Sequence, residues 1–353
     1  MKAWVLEDID NLVYRDDVDM PVAKSGQAII KVMAAGICGS DIPRAYRNGA
    51  HRMPLILGHE FAGQVVSVGD DSDKPMIGKR VGVFPLIPCG HCEACSKNAY
   101  EMCSSYDYLG SRCDGGFAEY VAVPVWNLIE LPDNVSYEQA AMLEPMAVVV
   151  HAMRRMDISK EYTVTVCGLG TIGQLLIMFL KAAGIDNIYA IGSKDSQRDS
   201  VIGLGILPDN YCDSKSEDVI SWHKSKTNGR GTDIFFECVG KNDTVNQAIE
   251  LTAIAGQICL VGNPYGEMQF DKELYWKILR RQLILRGTWN SSFGGNGALE
   301  DDWHYVIESL QSELIHPERL ITHRFALENL NRGFELMRDK SEDYVKVMTT
   351  HGI

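Results

Sequence analysis

The segment that most limits the possible folds runs from Thr163 to Gly173, where a β-branched run Thr163 to Cys167 leads directly into Gly168-Leu169-Gly170-Thr171-Ile172-Gly173 and then into an apolar helix-like stretch beginning near Ile172. Glycines at these three places have separate uses: the first permits a tight turn, the second lets a pyrophosphate approach the backbone, and the third lets helix and strand pack closely. Thr171 and Ile172 would then sit at a helix N-terminus, whose N–H donors and partial positive charge suit phosphate. Further strand-like runs follow at Asn187–Ser193, Thr232–Gly240 and Gln257–Asn263, with helices expected between them, one over Asn242–Gly256. Such alternation predicts a parallel sheet with helices on both faces.

Cofactor preference is read at the end of the second strand, where an acid commonly meets the ribose hydroxyl of NAD. Gly192 occupies that place here, followed by Ser193 and Lys194. A small residue, a hydroxyl and a cation suit a ribose 2′-phosphate, so NADP(H) is favoured over NAD(H). Arg198 would add charge. If the register lies two or three residues off, Asp195 becomes the ribose acid instead.

A second constraint is Cys89-x2-Cys92-x2-Cys95-x7-Cys103. Two Cys-x-x-Cys steps so close together match a tetrahedral, closed, structural zinc site; a disulfide cluster or redox pair is the alternative. Residues 1 to about 120 otherwise read as short strands, among them Ala28–Gly36, Phe61–Gly69, Lys79–Ile87 and Gly115–Val123. At 353 residues two domains are expected. The boundaries read as 1–150 completed by 290–353, and 151–289. The net charge of −13 excludes the broad basic surface that nucleic acid or anionic lipid selects. No apolar run approaches a membrane span, and the N-terminus lacks an export signal, so a cytoplasmic protein with reduced thiols is expected.

Taken in order, Gly-Ile-Cys38-Gly-Ser40-Asp41, Gly-His59-Glu60-Phe-Ala-Gly, the four-cysteine lobe, Asp-Gly-Gly-Phe-Ala-Glu-Tyr and the glycine loop resemble the zinc-containing medium-chain alcohol dehydrogenase superfamily, in its polyol branch. The resemblance covers essentially the whole chain. It implies an α/β protein: a GroES-like β-rich catalytic domain made from both chain ends, with a Rossmann domain between them. It implies two zinc ions per chain, the catalytic one held by Cys38, His59 and Glu144. Glu60 would enter the coordination shell directly or through water, and Asp41 would orient His59. The implied chemistry is hydride transfer between a secondary hydroxyl and a nicotinamide, with Ser40 passing the proton. Relatives that continue this relay through histidine five residues after the ligand cysteine differ from this chain, which has Pro43; His51 or water is the expected exit.

Arg44, Arg47, His51 and Arg52 fall within nine residues that contain no acid. With Arg112 they are candidates for a substrate phosphate, since guanidinium forks match phosphate oxygens. A solvated basic loop or a subunit contact is the competing account. The expected substrate is a sugar alcohol phosphate resembling galactitol 1-phosphate, with a free polyol such as sorbitol, or L-threonine, as alternatives. A structural or nucleotide-sensing relative without catalytic zinc is the non-enzymatic reading. A homodimer or homotetramer is expected.

Overall fold

Every second residue of the Gln27–Ile37 strand must be apolar if the strand is to lie at the centre of a sheet, and Ala28, Ile30, Val32 and Ala34 are indeed fully buried. The computed structural model, which describes residues 1–298 and 300–351, places this strand in a seven-stranded sheet. Glu60–Val68, Arg80–Val83 and Leu128–Glu130 follow on one side, Lys346–Thr350 and Ile321–Ala326 on the other, and Tyr120–Pro124 pairs with the Gln27–Ile37 strand as well. A smaller sheet joins Asn11–Arg15, Ala3–Asp8 and Leu55–Ile56. Trp4, Phe61, Phe117 and Phe334 lie in the core between these layers. This is the GroES-like body.

By contact, the chain divides into Met1–Ala147 with Ser291–Ile353, and Val148–Asn290. The division falls inside the helix Leu143–Arg154. In the second unit six strands run in the order Tyr211–Asp213, Ile188–Gly192, Val164–Cys167, Thr232–Glu237, Thr252–Leu260, Ile284–Gly287, every neighbouring pair parallel. The strand and helix alternation thus forms the Rossmann sheet.

One element departs from its sequence reading. The helix expected to reach Gly256 stops at Leu251, and Thr252–Leu260 is strand. Thr252 turns the chain: its backbone is extended and its hydroxyl donates to the Ala248 carbonyl, closing the last helical turn. Ala255, at φ 58°, then bends the strand before Gly256. Among the described residues, no helix is long and apolar enough to cross a membrane.

Candidate active site

The four lobe cysteines form no disulfide. Their sulfurs stand 3.5 Å (Cys92–Cys95), 3.8 Å (Cys92–Cys103) and 3.9 Å (Cys89–Cys95) apart. Four sulfurs at about 2.3 Å from a tetrahedral zinc would be about 3.8 Å from one another, so the lobe already has the dimensions of an S4 site. The N–H groups of Cys95 and Ser104 pull the Cys92 thiol down to about 5, whereas burial and the neighbouring thiols push Cys95 up to about 12. Full ionisation of the set requires a cation at its centre, and the residues fit zinc.

A second cluster lies at the end of the central strand. Cys38 Sγ, a ring nitrogen of His59 and a carboxylate oxygen of Glu60 are all within 4.8 Å of one another. Cys38 follows directly on the strand Gln27–Ile37, and Glu60 opens the strand paired with it, Gly36 opposite Glu60. Sulfur, imidazole and carboxylate are the donors of an open catalytic zinc site. Ser40 Oγ donates to Cys38 Sγ at 3.3 Å.

Glu144, the expected third ligand, is not in this trio; Glu60 is. Glu144, in the first turn of its helix, instead accepts a hydrogen bond from Tyr108 Oη at 3.1 Å. It remains close enough for His59 and Glu60 to act on it electrostatically, and burial, reinforced by Glu60, pushes its carboxyl above the usual range. Burial and the charges of Glu144, Cys38 and Glu60 hold Tyr108 well above its ordinary value, so it keeps the proton it donates. Its ring meets the His59 ring edge-on at 5.8 Å.

Asp41 is fully buried, its Oδ1 lying 3.4 Å from His59 Nδ1 and 2.9 Å from Arg44 Nη1. The His59 Nδ1 contact is at ion-pair range only, since that buried nitrogen makes no hydrogen bond. Burial works against a charged His59, yet Asp41 and Cys38 outweigh it and hold the imidazole well above its usual range. Counting Cys38 as thiolate, Asp41, Glu60 and Glu144 as carboxylates, Arg44 and Lys346 as cations, and His59 as the neutral imidazole that a metal ligand must be, the cluster carries a surplus of two negative charges. One divalent ion neutralises it.

Lys346 and Tyr108 escaped the sequence reading. Lys346 is 2% exposed and ion-paired with Glu60, 3% exposed. Its only sequence signal is a lysine opening the apolar strand Lys346–Thr350.

The other expected residues fall as follows. Arg44 is taken by Asp41, and Arg47 and His51 are exposed on the segment after Pro43. Burial, with the charges of Arg112 and Arg44, pushes His51 below its usual range and favours its neutral form. Arg112 stacks over Tyr106, Cζ to ring centroid 4.5 Å, and its Nε is buried without an acceptor. Arg52 pairs with Asp114 at 3.4 Å.

In the second unit, Gly168 has φ +95°, a Cβ on Gly173 would lie 1.9 Å from the Gly168 carbonyl oxygen, and a Cβ on Gly170 would meet open space. Turn, close packing and phosphate approach are each provided by one glycine. Thr171 begins the helix Thr171–Ala182, with Ile172 next. Gly192 ends its strand; a Cβ there would lie 2.8 Å from Leu169 and 3.0 Å from Tyr211, which leaves no room for an acid. Ser193 N–H donates to Gln197 Oε1, and Lys194 stands immediately before the helix that Asp195 opens. Asp195 is paired with Arg198 at 3.2 Å.

Residues 24–133 match the alcohol dehydrogenase GroES-like domain, and residues 171–312 match the zinc-binding dehydrogenase family. Galactitol 1-phosphate 5-dehydrogenase of Escherichia coli is 32% identical over 92% of this chain and 93% of its own length. The chain belongs to the zinc-containing medium-chain alcohol dehydrogenase superfamily. Within that superfamily it is similar to the polyol branch. The crystal structure of Escherichia coli galactitol-1-phosphate dehydrogenase superposes with a TM-score of 0.91 at 29% identity, covering 99% of this chain and 100% of that one. A zinc-binding dehydrogenase from Sinorhizobium meliloti, bound to NADP, gives 0.88 at 26% identity, covering 99% and 98%.

Proposed function

We propose that this medium-chain dehydrogenase interconverts a secondary hydroxyl of a sugar alcohol phosphate and the corresponding ketone, with NADP(H) as hydride carrier. The observation that carries the reading is the trio Cys38, His59 and Glu60, with Glu144 beside it and the Ser40 hydroxyl on Cys38 Sγ. Zinc held there would supply Lewis acidity to the reacting oxygen. Asp41 faces the His59 ring at ion-pair range, Tyr108 holds Glu144, and Ser40 offers a hydroxyl that can accept a proton and pass it on.

The phosphate reading rests on Arg112. Its guanidinium lies on Tyr106 and acts electrostatically on His51, and Tyr106 in turn contacts Tyr108 beside the metal site. Arg112 as a whole is half-buried, and the exposed part of its guanidinium can offer N–H donors to an anionic substrate group. Gly192, Ser193 and Lys194 support NADP(H) on steric and charge grounds.

Eight large apolar side chains between Tyr265 and Trp289 are exposed, with Tyr265 82% and Trp289 54% accessible, and Ile284–Gly287 is an edge strand. This supports assembly as a homodimer or homotetramer through that face. The ten free thiols suit a reducing compartment, the cytoplasm.

A screen of zinc-loaded protein against hexitol phosphates, sorbitol and L-threonine, each with NAD and NADP, tests the reading. Turnover with a polyol phosphate and NADP is the expected result; preference for sorbitol or L-threonine would overturn the phosphate assignment, and preference for NAD the cofactor assignment.

A further inference from the structure

Tyr108 and Arg112 belong to one hydrogen-bonded turn. The Tyr108 carbonyl accepts from the N–H groups of Ser111 at 3.1 Å and Arg112 at 2.8 Å, and Gly110 N–H donates to the Cys113 carbonyl at 2.8 Å. Two glycines press this turn onto the chain just before His59: a Cβ on Gly110 would stand 2.3 Å from the Gly58 carbonyl oxygen, and one on Gly115 2.1 Å from it. Neither place has room for a side chain, so backbone lies directly on backbone. In packing this close, a displacement of the turn is felt at His59.

The side chains repeat the connection. Arg112 lies over the Tyr106 ring, Cζ to centroid 4.5 Å, and the Tyr106 and Tyr108 rings meet edge-on at 6.1 Å. Tyr108 then reaches the metal cluster twice, by Oη to Glu144 at 3.1 Å and by its ring edge to His59 at 5.8 Å. Arg112 Nε makes no hydrogen bond, so at that nitrogen a ring face holds the guanidinium and no acceptor does. A dianion on the outer N–H groups would fix its plane.

We propose that this turn makes the substrate phosphate an activator of hydride transfer: phosphate on Arg112 sets the stack of Arg112, Tyr106 and Tyr108, and Tyr108 is the positioning residue that thereby holds Glu144 and the His59 ring in their working arrangement. The inference rests on the sugar alcohol phosphate reading. Binding of a remote group raises the rate of the chemical step only where its energy is realised at the reacting centre, and the stack is a route of direct contacts from one to the other. The dianion must bind the organised turn more tightly than the unorganised one, by the factor with which it shifts the balance between them.

The test is turnover of the unphosphorylated hexitol at saturating cofactor with inorganic phosphite added at constant ionic strength, with visible absorption of protein carrying cobalt(II) at the catalytic site as the second readout. In wild type, phosphite should raise kcat/KM for the free hexitol about tenfold or more and shift the cobalt bands. In Tyr108→Phe it should still compete with the hexitol phosphate yet give neither activation nor a band shift, a split that a merely structural hydroxyl would not produce. Arg112→Ala should lose competition and activation together. Competition without activation in wild type would overturn the proposal and leave the phosphate reading standing, and undiminished activation in Tyr108→Phe would overturn the part given to Tyr108. No competition, with no turnover of a hexitol phosphate, would refute the phosphate reading and the proposal with it. Should Tyr108→Phe fail to fold, Tyr106→Leu decides: competition kept with activation lost supports the proposal, and activation kept refutes it.

Discussion

Arg44 donates through Nη1 to Asp41 Oδ1 at 2.9 Å, and the same oxygen faces His59 Nδ1 at 3.4 Å. The first arginine of the basic loop therefore acts on the metal cluster through Asp41. Arg44→Ala removes a charge-assisted hydrogen bond worth about 1.5–3 kcal/mol, so kcat/KM should fall about tenfold or more, by the same factor for phosphorylated and free polyols. Steady-state kinetics on both substrates check this; a loss confined to the phosphorylated one would place Arg44 on the phosphate.

Arg112 should behave in the opposite way. With Nε unsatisfied and its plane on Tyr106, Arg112→Ala should raise KM for a polyol phosphate about tenfold or more and leave KM for the free polyol nearly unchanged. Equal effects on both would remove it from substrate recognition.

What the sequence made legible was whatever is local in the chain. The cysteine lobe is contained in residues 89–103 and the nucleotide loop in residues 168–173, so spacing alone placed their donors together. The Lys346–Glu60 pair spans 286 positions and exists only through the pairing of three strands over Gly36. No periodicity encodes that. Glu60 and Glu144 carry the same functional group, and only the tertiary structure gives them different partners, Lys346 and Tyr108. Sequence pattern alone carries the helix past Leu251 because no Pro or Gly interrupts Thr252–Ala255; the Thr252 hydroxyl closes the helix, and parallel pairing with Thr232–Glu237 makes the following residues strand.

The sulfur lobe should be separable from the chemistry. Cys103→Ser breaks an S4 set whose partners lie 3.8 Å and 3.9 Å apart, so metal analysis should find one zinc fewer per chain and thermal scanning a lower Tm. Retention of both ions at wild-type stability would count against a structural zinc.

His223 sets a pH dependence on the second unit. It is fully buried, its Nε2 2.9 Å from Thr165 Oγ1 and its Nδ1 without a partner, and burial lowers it to about 4. The folded value lies below that of an unfolded histidine, ~6.5, so protons favour the unfolded chain: this contribution is flat above that pH and is lost as pH falls toward 4. Urea titrations should show wild type losing about 2 kcal/mol more than His223→Gln between pH 7.5 and pH 5. Parallel profiles would contradict the assignment.

The central claim is a catalytic ion held by Cys38 and His59 with a carboxylate beside them. Zinc content per chain, measured together with hydride transfer in wild type and Cys38→Ser, tests it most directly. The account predicts two zinc ions in wild type, one in Cys38→Ser with the sulfur lobe still loaded, and hydride transfer abolished in that variant. One ion in wild type, or undiminished turnover in Cys38→Ser, would contradict it.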